Sequence, residues 1–227
     1  MHTPPLFKTD RAASFAFAEA RGFGLVCAYD GGVPVASPVP FCIDYASDGT
    51  PQLSFHLARN NPLIGLADRK SHWLMAVSGA DAYASADWYV SPDQVPTWLY
   101  QAVHLSGPVK VMPAQDLPEH LDRLSEKFET RLLPKRPWTT AKMTAGRLKA
   151  MQNGIVGLVM TVEDIHGSFK LNQHKSDADH VAVANALASR PDTSAQTLAE
   201  RMVALRPQLD YNTPAAGGGQ EIEGAHS

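Results

Sequence analysis

The chain lacks the features that mark several large classes of protein. Its 227 residues include only two cysteines, Cys27 and Cys42, with no Cys-x-x-Cys spacing and no cluster of other metal-binding residues around them. This scarcity argues against a disulfide framework or a zinc site and predicts buried thiols and no bound metal. No apolar run approaches the length of a membrane span, and the N-terminus lacks the apolar segment of a signal peptide, so we expect a cytoplasmic protein.

An excess of positive charge is also missing. The 20 lysines and arginines are outnumbered by 23 aspartates and glutamates, which gives a formal net charge of -3. A protein that binds nucleic acid by itself usually carries a basic surface. The charge therefore does not support strong autonomous DNA binding, although a local basic patch would still allow contact with DNA.

No catalytic constellation is visible in the sequence. There is no Gly-x-Ser-x-Gly elbow and no metal-spaced group of His and Cys residues. Asp177, Asp179 and His180 are neighbours, but they precede a predicted helix, where acidic residues are a routine capping pattern. His104 stands alone on a predicted strand and is interpreted as a core residue. We predict no catalytic residue and no metal ligand.

Hydrophobic patterning predicts a mainly β protein of the α+β class. Strands are expected within residues 23–112 and 154–166. Among them we expect one continuous strand at 33–44, another at 155–165, and two separate strands at 72–78 and 81–86. Helices are expected at 11–21 and within 114–152 and 176–206, including one at 140–152. Short successive strands favour an antiparallel barrel with added C-terminal helices over a doubly wound sheet. Residues 1–206 are predicted to form one domain, and residues 207–227 a flexible tail.

Residues 86–107 are unusually rich in aromatic side chains. They contain two of the four tryptophans of the chain, together with Tyr89 and Tyr100. Rings this dense are typical of a wall for a flat ligand or of a tightly packed interface. An aromatic mini-core beneath a long loop explains the pattern equally well, and the sequence alone leaves both alternatives open.

Three ordered blocks resemble the PaiB-type proteins, a family of FMN-binding negative transcriptional regulators. The first block is 55–62, with the sequence Phe-His-Leu-Ala-Arg-Asn-Asn-Pro. The second lies in the aromatic segment and consists of 87–89, 95–104 and Gly107. The third consists of 154–157, 162–165 and 170–173. The resemblance runs from Met1 to about Leu205. It implies a split β-barrel of the flavin-reductase and pyridoxamine-phosphate-oxidase type, a homodimer, and FMN held between subunits.

The resemblance and the chemistry of the residues together predict the cofactor site. Arg59 and Asn60 lie where a strand meets a helix start, and a phosphate is bound well by a guanidinium and free amides there. A plain N-cap at Asn61 beside a solvated arginine is the structural alternative. The loop at 170–175 departs from the family pattern at Asn172, His174 and Lys175, and Lys175 is interpreted as a polar loop residue. The predicted FMN-binding residues are His56, Arg59, Asn60, Asn61, Trp88, Tyr89, Trp98, Tyr100, Lys170, Asn172 and Gln173.

Three functions are compatible with this sequence. The first is an FMN-binding regulator of the PaiB type, although no helix-turn-helix with a basic recognition helix is visible. The second is a flavin-dependent oxidoreductase, because the implied fold commonly hosts such enzymes and fold does not fix function. The third is a module that holds FMN without turnover. In each case any redox chemistry would belong to the flavin rather than to a side chain.

Overall fold

The computed structural model describes residues 1–29, 31–69 and 71–211. Within them lie five α-helices and nine β-strands. The helices are α1 Arg11–Arg21, α2 Leu117–Glu129, α3 Ala145–Gln152, α4 Asp177–Ala188 and α5 Thr193–Leu205. The strands are β1 Lys8–Thr9, β2 Phe23–Ala28, β3 Val35–Pro40, β4 Cys42–Tyr45, β5 Pro51–Ala58, β6 His72–Ala84, β7 Thr97–Val111, β8 Ile155–Thr161 and β9 Asp164–Lys170.

The first helix shows how local sequence sets its ends. The carboxylate of Asp10 accepts a hydrogen bond from the Ala13 N–H at 2.8 Å, which satisfies one of the free amides of the first turn. Gly22 ends α1 in the left-handed conformation, with φ of 60°, and donates its N–H to the Ala18 carbonyl. The helix predicted at 11–21 is thereby confirmed.

The strands form an antiparallel sheet. Their order along the main path is β3-β2-β6-β7-β8-β5-β4, and β9 pairs with both β1 and β7. The β2–β3 hairpin and the β5–β8 pair have registers that run without interruption, from Phe23 opposite Pro40 and from Gln52 opposite Thr161. Gly107 on β7 is required by this packing, because an added Cβ would lie 1.8 Å from the carbonyl oxygen of Thr161.

The chain folds as two compact units, each with its own core. The first unit comprises Met1–Thr3, Lys8–Ser78 and Ala102–Ser168, and its fully buried side chains include Phe41, Phe55, Trp73, Leu105 and Leu158. The second unit comprises Pro4–Phe7, Gly79–Gln101 and Phe169–Ser227. In its described part the core combines β6 and β7 residues with helices α4 and α5, through Ala84, Leu99, Val183, Leu187 and Leu198. Residues 1–206 as a single domain stay a prediction.

Two strand predictions in the first half of the chain are wrong. The predicted strand 33–44 is two strands, because the chain turns at Phe41, whose ring is buried and whose N–H donates to the Gly22 carbonyl. The separate strands at 72–78 and 81–86 are one strand, His72–Ala84. The strand runs through Gly79 and Ala80 without interruption, because an extended backbone accommodates glycine.

Two predictions in the second half are also corrected. The strand 155–165 is interrupted where the N–H groups of Val162 and Glu163 donate to Pro51 and Ser106 outside the regular ladder, so β8 and β9 are distinct. The helix 140–152 is a 3-10 turn at Thr140–Lys142 followed by α3. The predicted flexible tail lies almost wholly outside the described residues.

The remaining global expectations concern cysteines and membranes. Cys42 is buried, Cys27 is partly buried, and both are free thiols whose pKa is raised by burial. None of the helices in residues 1–29, 31–69 and 71–211 has both the length and the apolar character to cross a bilayer.

Candidate functional site

In the first unit, the end of β5 places Arg59 and Asn60 on the surface. Arg59 donates from Nε to the Asn153 carbonyl at 2.6 Å and from Nη2 to the Ile155 carbonyl at 2.9 Å. These bonds fix the guanidinium against the turn between α3 and β8. They leave Nη1 as the nitrogen that could reach an anion, and exposed Asn60 follows directly in the turn.

Asn61 has the capping role that the sequence predicts, but the helix it caps is short. Its side-chain oxygen accepts from the Leu63 N–H at 3.0 Å, and its amide donates to Ser37 Oγ at 2.8 Å. The segment Pro62–Leu66 is a 3-10 helix of five residues. Both ends of the Asn61 side chain are therefore committed to the protein, and the helix offers little dipole to an anion.

His56 points to a different environment from Arg59. Its Nδ1 lies 3.2 Å from Nε2 of His120 on α2, and the two rings meet edge to face with centroids 5.5 Å apart. Burial lowers the pKa of His56. The pKa of His120 is lowered to about 4, by burial first and then by the proximity of His56 and Arg123. Both imidazoles are accordingly neutral at pH 7, and His120 is not among the site residues predicted from the sequence.

In the second unit, two of the predicted aromatic residues pack into the core. Tyr89 is buried, its hydroxyl donates to Asn172 Oδ1 at 3.3 Å, and Lys175 Nζ lies 4.9 Å from its ring centroid. Trp88 is partly buried against the same core, with the guanidinium of Arg190 6.0 Å from its ring. The mini-core alternative thus describes these two residues.

Trp98 behaves differently from the other aromatic residues of this segment. Its side chain is 53% exposed on β7. The indole N–H donates to Asp81 Oδ1 at 2.9 Å, and the ring meets Tyr83 edge to face at 6.1 Å. Tyr100, two residues further along the strand, is half-buried. Trp98 therefore presents an oriented aromatic face that a planar ligand could cover.

The predicted loop residues Lys170, Asn172 and Gln173 are largely bound within the second unit. Lys170 Nζ donates to Thr97 Oγ1. Gln173 accepts from the Leu171 N–H at 2.7 Å and donates to the Phe169 carbonyl at 2.6 Å. Asn172 is fully buried at a φ of 56°, and its Nδ2 has no hydrogen-bond partner among the described residues. Of the three, Asn172 is the one with a buried donor that has no partner among the described residues.

Asp179 has a role that the capping interpretation did not foresee. Its Oδ1 accepts from the N–H groups of Val90 and Ser91, both at 2.9 Å, and its Oδ2 accepts from Ser91 Oγ at 2.8 Å. Burial opposes ionisation, but the hydrogen bonds from Ser91, Ser176 and Val90 outweigh it and hold the pKa of Asp179 below its usual value. Buried carboxylates need such partners, so this residue anchors the aromatic segment to α4.

The neighbouring His180 is a core histidine. It is fully buried, and its ring nitrogens face the carbonyls of Asn172 at 3.4 Å and Met202 at 3.0 Å. Within the described ranges no group of three or more His, Cys, Asp or Glu side chains could hold a metal ion. The residues present suit an organic cofactor with an aromatic ring and an anionic group.

Comparison with known protein families gives one match over most of the chain. The family described as "Putative FMN-binding domain" matches residues 1–164. This region contains the end of β5 and the whole aromatic segment, whereas Lys170, Asn172 and Gln173 lie beyond it. The predicted FMN class of cofactor agrees with this match.

A characterised relative and two solved structures extend the comparison. Protease synthase and sporulation protein PAI 2 of Bacillus subtilis (strain 168) is 31% identical over 203 residues, which span 89% of this chain and 96% of that protein. The FAD and heme binding protein from Mycobacterium smegmatis has a TM-score of 0.51 at 19% identity, covering 71% of this chain and 72% of that chain. The flavocytochrome Anf3 from Azotobacter vinelandii has a TM-score of 0.52 at 15% identity, covering 74% and 72%. At such identities the structures speak for the fold alone, and the predicted split-barrel class is confirmed.

Proposed function

Because this chain belongs to the PaiB-type family of FMN-binding split barrels, we propose that it binds FMN as a cytoplasmic homodimer and acts as a negative regulator of transcription. The observation that carries the proposal is the family match over residues 1–164, which includes both groups of residues that suit a flavin. Identity of 31% over nearly the whole length of PAI 2 supports the same assignment.

In the first unit we assign anion binding to Arg59 and Asn60. Two nitrogens of Arg59 are held by backbone carbonyls at 2.6 and 2.9 Å, so its third nitrogen is already oriented before a ligand arrives. Preorganisation of this kind reduces the entropy that binding costs. Asn61 supports the turn rather than the ligand, and His56 is not assigned to the flavin, because its ring is paired with His120.

In the second unit we assign the aromatic contact to Trp98. Its ring is exposed and held by Asp81 and Tyr83, whereas Trp88 and Tyr89 belong to the core. Tyr100, Lys170, Asn172 and Gln173 stay predicted contacts, of which Asn172 keeps an unused amide donor. FMN, when bound, would supply redox chemistry, and the side chains would bind and orient it.

The first test is a titration of the purified protein with FMN, followed by flavin fluorescence, together with the molecular mass in solution. We expect saturable binding by a dimer. The variant Trp98→Ala should fold and bind FMN about tenfold more weakly, because it loses one aromatic contact. Tyr45→Ala, which removes a tyrosine 62% exposed at the end of β4, is the matched control and should bind like the wild type. Equal affinity in a folded Trp98→Ala variant would remove Trp98 from the site.

The regulatory part of the proposal is tested by DNA binding at several salt concentrations. The net charge of -3 predicts weak contact by a single chain, so repression would depend on a basic patch assembled in the dimer. Binding to DNA through phosphate contacts should weaken steeply as salt rises. No binding to upstream DNA of any regulated gene, with or without FMN, would contradict direct repression.

A further inference from the structure

A second ligand-binding feature of the first unit is a cavity of about 270 Å³ beside His56. His56 and the start of β8 form one side, α2 forms another, and residues 138–143 with α3 line the remaining walls of this half-open cavity. Trp138, Met143, Leu148 and Met151 dominate its surface, and no Asp, Glu, Lys or Arg lines it. Pockets of this kind, apolar with a few polar groups, are typical of small-molecule sites.

The His56–His120 pair gives the cavity a defined hydrogen-bonding direction. His120 is 1% exposed, and its Nδ1 has no partner among the described residues. A proton on that Nδ1 would be a buried donor without an acceptor, which is rarer in proteins than an unused acceptor. His120 therefore carries its proton on Nε2 and donates it to His56 Nδ1.

The tautomer of His56 follows from that bond. Since its Nδ1 accepts from His120, a neutral His56 carries its own proton on Nε2. No described residue accepts that proton by a hydrogen bond. His56 thus supplies the cavity with a single oriented donor, and His120 is a positioning residue that fixes it.

We propose that this cavity binds an uncharged, largely apolar small molecule that presents one hydrogen-bond acceptor, such as a ketone or amide oxygen, to Nε2 of His56. A charged ligand would lose its hydration against an apolar wall with no counter-charge. The proposed ligand is therefore not FMN, because the phosphate group of FMN requires cationic side chains and none lines this cavity. The proposal does not depend on the FMN assignment, because it rests on residues 56, 120–125 and 138–155.

The test uses 2-acetylnaphthalene, a neutral aromatic ketone, and 2-ethylnaphthalene, which has nearly the same shape without the oxygen. Binding is followed by the quenching of tryptophan fluorescence and by calorimetry, with FMN-free and FMN-saturated protein. We expect the wild type to bind the ketone, and FMN to leave that affinity unchanged. The variant Leu148→Trp, which fills the cavity, should abolish binding of both probes.

The hydrogen bond is isolated by the ratio of the affinities for the two probes. His56→Phe should lower the preference for the ketone about fivefold, as expected for one neutral hydrogen bond, whereas His56→Gln keeps a donor and should retain part of it. His120→Phe should lower the same preference because it frees the His56 tautomer. His72→Gln, on a surface histidine 56% exposed, is the control and should change nothing.

Three results would overturn the proposal. Probe affinity that is unchanged in Leu148→Trp would place the probe elsewhere. An unchanged ketone preference in both His56→Phe and His120→Phe would remove the oriented donor. Competitive displacement of the ketone by FMN would make the cavity part of the flavin site instead. Failure of the protein to bind FMN, with the ketone still bound, would count against the proposed function only.

Discussion

The buried histidine pair predicts a specific dependence of stability on pH. His120 is 1% exposed, and its pKa falls from 6.5 to about 4 on folding. Between these two values the unfolded chain binds a proton that the folded chain does not. The free energy of unfolding must therefore decrease as the pH falls from about 7.5 towards 4, most steeply between the two pKa values, and above about pH 7.5 His120 contributes almost no dependence. With these two pKa values, linkage gives a loss of about 2 kcal/mol between pH 7.5 and pH 5.

The variant His120→Leu removes this titration and nearly preserves side-chain volume. We expect the difference in unfolding free energy between the wild type and this variant to shift by about 2 kcal/mol, in favour of the variant, from pH 7.5 to pH 5. At an m-value of about 2 kcal/mol/M this is about 1 M in the urea midpoint, measured by tryptophan fluorescence. His56 titrates in both proteins, so its own contribution largely cancels.

Leu124→Ala on the same helix is the control for this experiment. Leu124 is 7% exposed, so the truncation should cost about 3 kcal/mol, and by the same amount at both pH values, because no proton is involved. If the wild type and His120→Leu keep a constant difference across the pH range, His120 is not held neutral by burial. The tautomer assigned to His56 would then lose its basis.

Three further predictions test other parts of the structure. Asp179→Ala should lower the unfolding free energy by about 2 kcal/mol, because the N–H groups of Val90 and Ser91 lose the carboxylate that accepts from them. Asp177→Ala, at an ion pair whose carboxylate is 68% exposed, should cost under about 1 kcal/mol, and thermal melts compare the two variants. Gly107→Ala should yield insoluble protein, because the added Cβ would overlap a backbone carbonyl oxygen. Its control is Gly146→Ala on α3, where the added Cβ enters open space; this variant should raise the free energy of unfolding by about 0.5 kcal/mol. Arg59→Lys should destabilise the protein by about 1 kcal/mol, because one ammonium cannot bond to both carbonyl groups, and it should also weaken FMN binding. An FMN affinity equal to that of the wild type would show that Arg59 has only a structural role.

The sequence predicts most of the elements because their signals are local. Asp10 and Gly22 mark the ends of α1, and the strands expected within residues 23–112 end with β7 at Val111. The errors arise where distant backbone groups decide. The break between β8 and β9 depends on carbonyls of Pro51 and Ser106, which no window around residue 162 contains.

In the candidate site, too, the contacts between near neighbours in the sequence are predicted and the long-range contacts are not. The Asn61 cap is confirmed because its partner is two residues away. Other contacts of the site join residues more than 60 positions apart in the sequence, which local patterns do not reveal. These are the hydrogen bonds from Arg59 to the carbonyls of residues 153 and 155 and the pairing of His56 with His120. A histidine within the apolar stripe of α2 was the only available hint of that pair, since a buried polar side chain requires a partner.

Asp179 connects the region matched by the family, residues 1–164, with a helix that lies outside that region. That family region ends at residue 164, yet the aromatic segment within it is anchored by the carboxylate of Asp179 on α4. Ala84 and Leu99 likewise bury their side chains against Leu187 and Leu198 from the two C-terminal helices. Without those helices the strand ends beside Trp98 would expose apolar surface and lose their anchor. In this protein the C-terminal helices are therefore part of what orients the aromatic face, and not an addition to a complete domain.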